Sequence, residues 1–285
     1  MDLTSPRVIK DIAERFGFSF SKGLGQNFLL DESVLDKIVE AADIEDGVLE
    51  VGPGFGVLTK RLCETGKKVV SVEVDRRLIP VLDYTLAEFD NVKIIEKDIL
   101  KTDVAELIST KFGGGKISVA ANLPYYITTP IITKLIEEKL PLENIVVMVQ
   151  REVAERIAAK PGKKDYGAIS VLCQYYTNPR IVTIVPAGSF YPAPKVDSAV
   201  LCMEVCSEPN VKTKDEALFF KVVKAAFAQR RKTLLNCLAS GFSCDKAALT
   251  EILESVNIAS NVRGEKLELS EFAKIADAFF DAGIK

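Results

Sequence analysis

Short β-branched runs alternate with longer amphipathic stretches from Val48 to Gln150. The runs are Val48–Val51, Lys68–Val74, Val92–Glu96, Ile117–Ala121 and Ile145–Val149. They are nearly continuous in apolar residues, the pattern of parallel strands covered on both faces. Helical patterns fall between them at Val57–Glu64, Arg76–Phe89, Asp103–Phe112 and Pro130–Glu138. This alternation predicts an α/β fold with a parallel sheet whose strand carboxyl ends share one edge. Upstream, Ser5-Pro6 reads as a helix start with Gly17 as its stop, and Asp31 opens an amphipathic helix carrying Val34 and Ile38.

The pattern changes after Gln150. Helices are expected over Arg151–Ala159 and Gly167–Tyr176, then strands over Ile181–Val185 and Ser198–Val205, which can close the sheet as an antiparallel pair. A Pro-rich loop, Phe190 to Lys195, separates those strands. The polar stretch Ser207–Asp215 reads as a linker. Helical periodicity resumes at Glu216–Ala228, Lys232–Leu238, Lys246–Glu254 and Ser270–Asp281. The expected division is therefore a catalytic domain over 1–206 and a small all-α domain over 207–285.

The glycines and acids at the predicted strand ends narrow the chemistry. The first strand runs into Gly52-Pro53-Gly54-Phe55-Gly56, where glycine lets backbone approach a ligand that a Cβ would repel. The spacing is G-x-G-x-G, whereas a dinucleotide turn has G-x-G-x-x-G. Glu73 ends the second strand, 21 residues past Gly52, where a carboxylate accepts both ribose hydroxyls. Asp98, just past the third, can accept from an adenine amine. A glycine turn and two acceptors on consecutive strand ends, without a pyrophosphate cradle, point to S-adenosylmethionine. NAD is the alternative, and it needs the third glycine one residue later.

The fourth strand ends in Asn122-Leu123-Pro124-Tyr125. An amide oxygen there can accept from an exocyclic amine, Pro124 fixes the backbone, and Tyr125 offers a face for a base to stack on. Taken alone, the tetrapeptide reads more readily as an ordinary turn with a buried Tyr.

Composition then removes rival chemistries. The chain has no histidine and no Cys-x-x-Cys pair among its six cysteines, so His triads and Cys/His zinc sites are excluded and no metal is expected. Apolar content of 48% suits a globular core, with no stretch long enough to span a membrane and no secretory block near the start; a cytoplasmic location is expected. The net charge of −3 does not suggest a nucleic-acid partner. Its distribution does: Lys221, Lys224, Arg230, Arg231 and Lys232 lie between Ala217 and Cys244 without one acidic residue. A solvated helix face and a phosphate-binding strip both fit that run.

Several motifs together carry a family resemblance. They are Gly25-Gln26-Asn27-Phe28-Leu29, Glu50-Val51-Gly52-Pro53-Gly54, Glu73-Val74-Asp75, Asn122-Leu123-Pro124-Tyr125, Gln150-Arg151-Glu152-Val153, Tyr166-Gly167, Tyr191-Pro192-Ala193-Pro194-Lys195-Val196-Asp197-Ser198 and Gln229-Arg230-Arg231-Lys232-Thr233. With them the chain resembles the ribosomal RNA adenine N6-dimethyltransferases of the KsgA type. The resemblance implies a Rossmann-like S-adenosylmethionine-dependent methyltransferase domain followed by a helical C-terminal domain. It implies two methylations on each of two adjacent adenosines in the 3′-terminal hairpin of 16S rRNA. The substrate would be the 30S particle or its assembly intermediate, and the enzyme a monomer. Asn27, Leu29, Gly52, Gly54, Glu73, Asp98 and Asn122 would contact the cofactor. Asn122 and Leu123 would hold the adenine amine, with Pro124 shaping the turn and Tyr125 and Phe190 stacking on the base. Lys22, Arg151, Arg230, Arg231 and Lys232 would meet phosphates. The Erm-type enzymes, which modify 23S rRNA, share the chemistry and are the alternative. Leu123, the Pro-Lys-Val-Asp-Ser run and the Gln-Arg-Arg-Lys segment, read as helical, favour the KsgA branch.

Overall fold

The computed structural model describes residues 1–19 and 27–285. Lys22 and the first two residues of the Gly25–Leu29 motif lie outside them. The chain divides into two compact units, Met1–Ala154 with Pro179–Val205, and Glu155–Asn178 with Cys206–Lys285. The second unit thus takes in Glu155–Asn178, a segment assigned to the first on sequence. Its apolar residues explain this: Ala159, Tyr166, Val171 and Tyr175 pack in one core with Leu218, Phe219, Phe272 and Phe279.

The strands of the first unit are β1 (Phe28–Leu29), β2 (Gly47–Val51), β3 (Lys68–Glu73), β4 (Val92–Glu96), β5 (Ile117–Asn122), β6 (Leu142–Gln150), β7 (Thr177–Val185), β8 (Phe190–Tyr191) and β9 (Ser198–Val205). Its helices are α1 (Pro6–Arg15), α2 (Glu32–Ala42), α3 (Val57–Cys63), α4 (Ile79–Thr85), α5 (Val104–Phe112), α6 (Thr128–Glu137) and the start of α7 (Arg151–Ile157). The seven-stranded sheet has the order β4-β3-β2-β5-β6-β9-β7. β4 to β6 pair in parallel and β9 runs antiparallel to β6. This is a Rossmann-like arrangement, with α8 (Ala168–Tyr176), α9 (Glu216–Phe227), α10 (Leu234–Phe242), α11 (Lys246–Ser255) and α12 (Leu269–Asp281) forming a helical second unit. Val48, Leu49, Val69, Val70, Val119, Ala120 and Ala121 are fully buried, which accounts for their unbroken apolar runs.

Strand order reverses direction at β2. β3 and β4 extend to one side of it and β5 to the other, so their carboxyl ends open a crevice at that switch point. β1 and β8 form a separate two-stranded ladder, with Phe28 opposite Tyr191 and Leu29 opposite Phe190. The Pro-rich segment, expected to be a loop, therefore begins as a strand that pins residues 28–29. Phe28 also packs edge-on against Phe55 of the glycine turn, with centroids 4.8 Å apart.

Local chemistry sets several boundaries. Asp31 caps α2 by accepting from the Ser33 N–H at 3.1 Å. Helix α1 starts at Pro6, but the Ser5 side chain makes no capping bond. The pattern expected as one helix over Arg76–Phe89 is broken into a 3₁₀ turn, Arg76–Leu78, followed by α4. Pro80 lies in the first turn of α4, where its missing N–H costs nothing. Ser207–Asp215 lacks regular structure yet is anchored: Asn210 Nδ2 donates to Gln174 O at 2.8 Å, and the Lys214 N–H to Asp277 Oδ1 at 2.8 Å.

The basic cluster differs most from expectation. Gln229–Lys232 forms a turn, closed by the Lys232 N–H on Gln229 O at 2.9 Å, and α10 begins only at Leu234. Arg230 meets Glu265 at 3.3 Å. Glu265 follows Gly264, which packs so closely under α9 that an added Cβ would come within 2.8 Å of Ala226 O. Gly264→Ala is expected to destabilise the protein by about 1–3 kcal/mol through overpacking. Urea denaturation of the two proteins measures it.

Candidate active site

The carboxyl ends of β2, β3, β4 and β5 frame a cleft enclosing about 1100 Å³, mouth included. Gly52 and Gly54 turn the chain after β2 with φ of +70° and +60°. A Cβ on Gly52 would meet nothing within 4 Å, whereas one on Gly54 would strike the Phe28 ring at 2.8 Å. The first glycine thus leaves open space above the turn, and the second lets the aromatic beside it seat.

Of the residues expected to hold the cofactor, Asn27, Leu29, Gly52, Gly54, Glu73, Asp98 and Asn122 all line this cleft. Glu73 is 5% exposed. Its Oε2 accepts from the Gly54 N–H at 3.3 Å and Oε1 from the Asp75 N–H at 2.8 Å. Burial raises its pKa against those two bonds. The carboxylate keeps lone pairs for two further donors. Asp98 Oδ1 caps the 3₁₀ turn Ile99–Lys101 by accepting from the Leu100 N–H at 2.9 Å, while Oδ2 lies 3.8 Å from Lys101 Nζ.

Asn122 is held by one hydrogen bond. Its Nδ2 donates to the Asn27 carbonyl at 2.9 Å. A carbonyl only accepts, so this bond decides which end of the amide faces Asn27. Among the described residues nothing donates to Oδ1, which is left as a free acceptor. The Leu123 N–H bonds to Met148 O at 3.1 Å, and Thr128 Oγ1 donates to Pro124 O at 3.0 Å, fixing the turn on both sides. The Tyr125 hydroxyl lies 2.7 Å from Ser198 Oγ of β9. Burial raises the Tyr125 pKa, so the hydroxyl stays protonated.

Phe190 is placed otherwise. It is 4% exposed, belongs to the core of the first unit, and does not line the cleft. Its ladder with Leu29 holds its backbone there. Arg151, Arg230, Arg231 and Lys232 are exposed. Arg231 and Lys232 have no ion pair among the described residues.

Two cleft residues carried no role on sequence. Tyr126 is 55% exposed and lines the cleft beside Tyr125; the doubled Tyr after Pro124 was its only signal. Glu50 is 1% exposed, with Ser71 Oγ donating to it at 2.6 Å. A single acid inside an apolar strand was the signal there. Burial pushes its carboxyl up to about 7, with Glu73 adding repulsion and Ser71 and Thr59 opposing.

Among the described residues the lining includes the acids Glu50, Glu73, Asp75 and Asp98 against one basic residue, Lys97. An anionic pyrophosphate is disfavoured in such a cleft and a cation is favoured. Acceptors for a ribose and an adenine amine, open space over Gly52 and an acidic wall fit S-adenosylmethionine.

Comparisons with known proteins agree with this geometry. The family described as Ribosomal RNA adenine dimethylase matches residues 17–279. Ribosomal RNA small subunit methyltransferase A of Bacillus mycoides (strain KBAB4) is 52% identical over 283 residues, covering 97% of each chain. A crystal structure of a dimethyladenosine transferase from Plasmodium falciparum superposes with a TM-score of 0.76 at 26% identity, covering 90% of this chain and 98% of that one. The 23S rRNA methyltransferase ErmE gives 0.70 at 22% identity, covering 88% and 99%; this likeness is one of fold.

Glu50 makes stability depend on pH. Its folded pKa of about 7 stands above the ordinary 4.5. Between those values the native state keeps a proton that the unfolded chain releases, so the contribution of Glu50 falls as pH rises through that window, by on the order of 3 kcal/mol. Wild type should lose stability relative to Glu50→Gln between pH 5 and pH 8. Urea midpoints of the unliganded proteins at both pH values measure this.

Proposed function

The chain belongs to the ribosomal RNA adenine dimethylase family, and from that premise we propose that it dimethylates N6 of two adjacent adenosines in the 3′-terminal hairpin of 16S rRNA. The chain is an S-adenosylmethionine-dependent rRNA methyltransferase. The proposed substrate is the 30S subunit or its late assembly intermediate, met by a monomer in the cytoplasm. No helix among the described residues is long and apolar enough to cross a membrane. The 52% identity to a protein named for the small subunit supports 16S rRNA over the 23S target of the Erm-type enzymes.

Bound S-adenosylmethionine supplies a methyl group already activated on a sulfonium. The chain's own task is then positioning. Glu73 accepts from the ribose hydroxyls and Asp98 from the adenine amine of the cofactor, while Gly52 and Gly54 keep the turn clear of it. Leu29 provides apolar wall.

The observation that carries the reading is the orientation of Asn122. A purine amine is a poor nucleophile because its lone pair is delocalised into the ring. With Asn122 Oδ1 and the Leu123 carbonyl accepting its two hydrogens, the nitrogen can pyramidalise and present that pair to the methyl group. Tyr125, held by Ser198 and the Pro124 turn, offers the ring on which the swung-out base stacks, worth about 1–3 kcal/mol. The amine, cationic once methylated, loses its proton to water, so no histidine is needed. Phe190, buried beneath the β1–β8 ladder, would need to move to share the stacking.

The RNA backbone is met by exposed Arg151 of the first unit and by Arg230, Arg231 and Lys232 of the second. Glu265 already neutralises part of Arg230, so Arg231 and Lys232 carry the larger share. Lys22 completes the proposed set.

Mass spectrometry of nucleosides from unmethylated 30S particles, incubated with enzyme and methyl donor, tests the function. N6,N6-dimethyladenosine is expected in 16S rRNA, and its formation only in 23S rRNA would favour the Erm-type reading. Asn122→Ala should slow transfer by about 100-fold, the cost of removing one preorganised polar group at a reacting centre. Arg231→Ala should lower the slope of log affinity against log salt by about 1, whereas an unchanged slope would make the cluster a solvated surface.

A further inference from the structure

Glu50 has no part in the roles just given, yet it shares the wall of the cleft. It lies in the middle of a parallel sheet at 1% exposure. A carboxyl buried to that degree ordinarily has a cation beside it. Among the described residues no Lys or Arg pairs with Glu50. Ser71, directly opposite in the β2–β3 register, gives it one hydrogen bond of 2.6 Å. Thr59 of α3 faces it as a second stabilising hydroxyl, but is fully buried and makes no well-formed hydrogen bond.

Among the described residues, the ionisable groups that act directly on Glu50 bring no positive charge. Glu73 on β3 repels it, and Cys63 on α3 is pushed up to about 12 by burial and by the Glu50 charge. At the cleft edge stand Asp75, already paired with Arg77 at 2.6 Å, and Asp98 with Lys97 beside it. Glu50 therefore stands between acid and carboxylate near neutral pH, and a positive charge from outside the protein tips it to the carboxylate.

The cofactor reading above identifies that charge, and the inference rests on it. Methyl donor and demethylated product share ribose, adenine and amino-acid parts. They differ at sulfur: a sulfonium before transfer, a neutral thioether after. Glu73 and Asp98 address the shared parts and cannot tell the two apart. We propose that Glu50 is a charge-sensing specificity residue, giving up its proton to water when the sulfonium donor enters and taking one back from water once the sulfur is neutral. An opposite charge within a few ångströms favours the ionised carboxylate, and its removal restores the acid. Donor binding is thereby strengthened over product binding, and the spent thioether is released from a site that no longer holds a matching anion.

Isothermal titration of the full chain, without RNA, tests this with S-adenosylmethionine and S-adenosylhomocysteine. Titrations in two buffers of different ionisation enthalpy give the protons exchanged. At pH 7 about half of Glu50 is protonated in the free protein, so the donor should release about half a proton more than the product. In Glu50→Gln that difference should vanish, and the donor-to-product affinity ratio at pH 8 should fall about tenfold, the effect of a one-unit change in the Glu50 pKa. If Glu50→Gln does not fold, the wild-type affinity ratio still reads the effect, because it should rise between pH 6 and pH 8. Ser71→Ala, which removes the hydrogen bond to the anion, should move that rise to higher pH. Equal proton numbers for the two ligands, or a pH-independent ratio, overturns the inference alone. A difference that survives in Glu50→Gln also overturns it, since the protons are then exchanged by some other group. Failure of both ligands to bind overturns the donor-site reading and this inference with it.

Discussion

The hydrogen bond from Asn122 Nδ2 to the Asn27 carbonyl is the constraint on which the site depends. An amide side chain can present either its donor or its acceptor to a ligand. Here a partner that can only accept removes the choice and leaves the oxygen as the free acceptor of an amide that lines the cleft. The carbonyl must itself be held still. The β1–β8 ladder, continued by the Leu30 N–H on Ser189 O at 2.9 Å, and the Phe28–Phe55 contact fix the residues that follow it. A segment remote in sequence thereby sets the chemistry at the end of β5. Second-layer support of this kind is what gives a site its precision.

Electrostatics divides the molecule's two tasks. The cleft is walled by carboxyl groups and suits a cationic cofactor. Arg151, Arg230, Arg231 and Lys232 lie outside its lining and are exposed. A net charge near zero conceals this separation, because acidic and basic residues cancel in the sum while acting at different places. Within the cleft the acids differ by environment. Glu73 has two backbone N–H partners and Asp98 sits at the rim as a turn cap. Glu50 has hydroxyls only, at full burial, and so has the most to gain from an incoming charge.

Helical packing shapes the basic cluster of the second unit as well. Gly264 lets the chain pass tight beneath α9, which sets Glu265 against Arg230. The turn over Gln229–Lys232 then presents Arg231 and Lys232 on irregular backbone instead of along a helix face. That arrangement suits contacts to phosphates that do not follow a helical repeat.

Sequence alone determined the architecture and much of the cleft. Unbroken apolar runs such as Ile145–Val149 bury only in a doubly covered sheet, and once the strands from Val48 onward are parallel, Gly52, Glu73, Asp98 and Asn122 must arrive at one edge. Local rules also placed the Asp31 cap and the glycine turn, since both follow from nearest-neighbour chemistry. Only the tertiary structure decided matters that depend on residues far apart in the chain. It joined Glu155–Asn178 to the helical unit, because the burial of Tyr166 and Tyr175 is satisfied there. It made a strand of Phe190–Tyr191 and buried the Phe190 ring, through a ladder whose partner lies more than a hundred residues upstream. It withdrew Arg230 toward Glu265, and it left Glu50 without a cation. Periodicity reports which face of an element is covered, but not which side chain covers it, and charge pairing and burial depth depend on the latter.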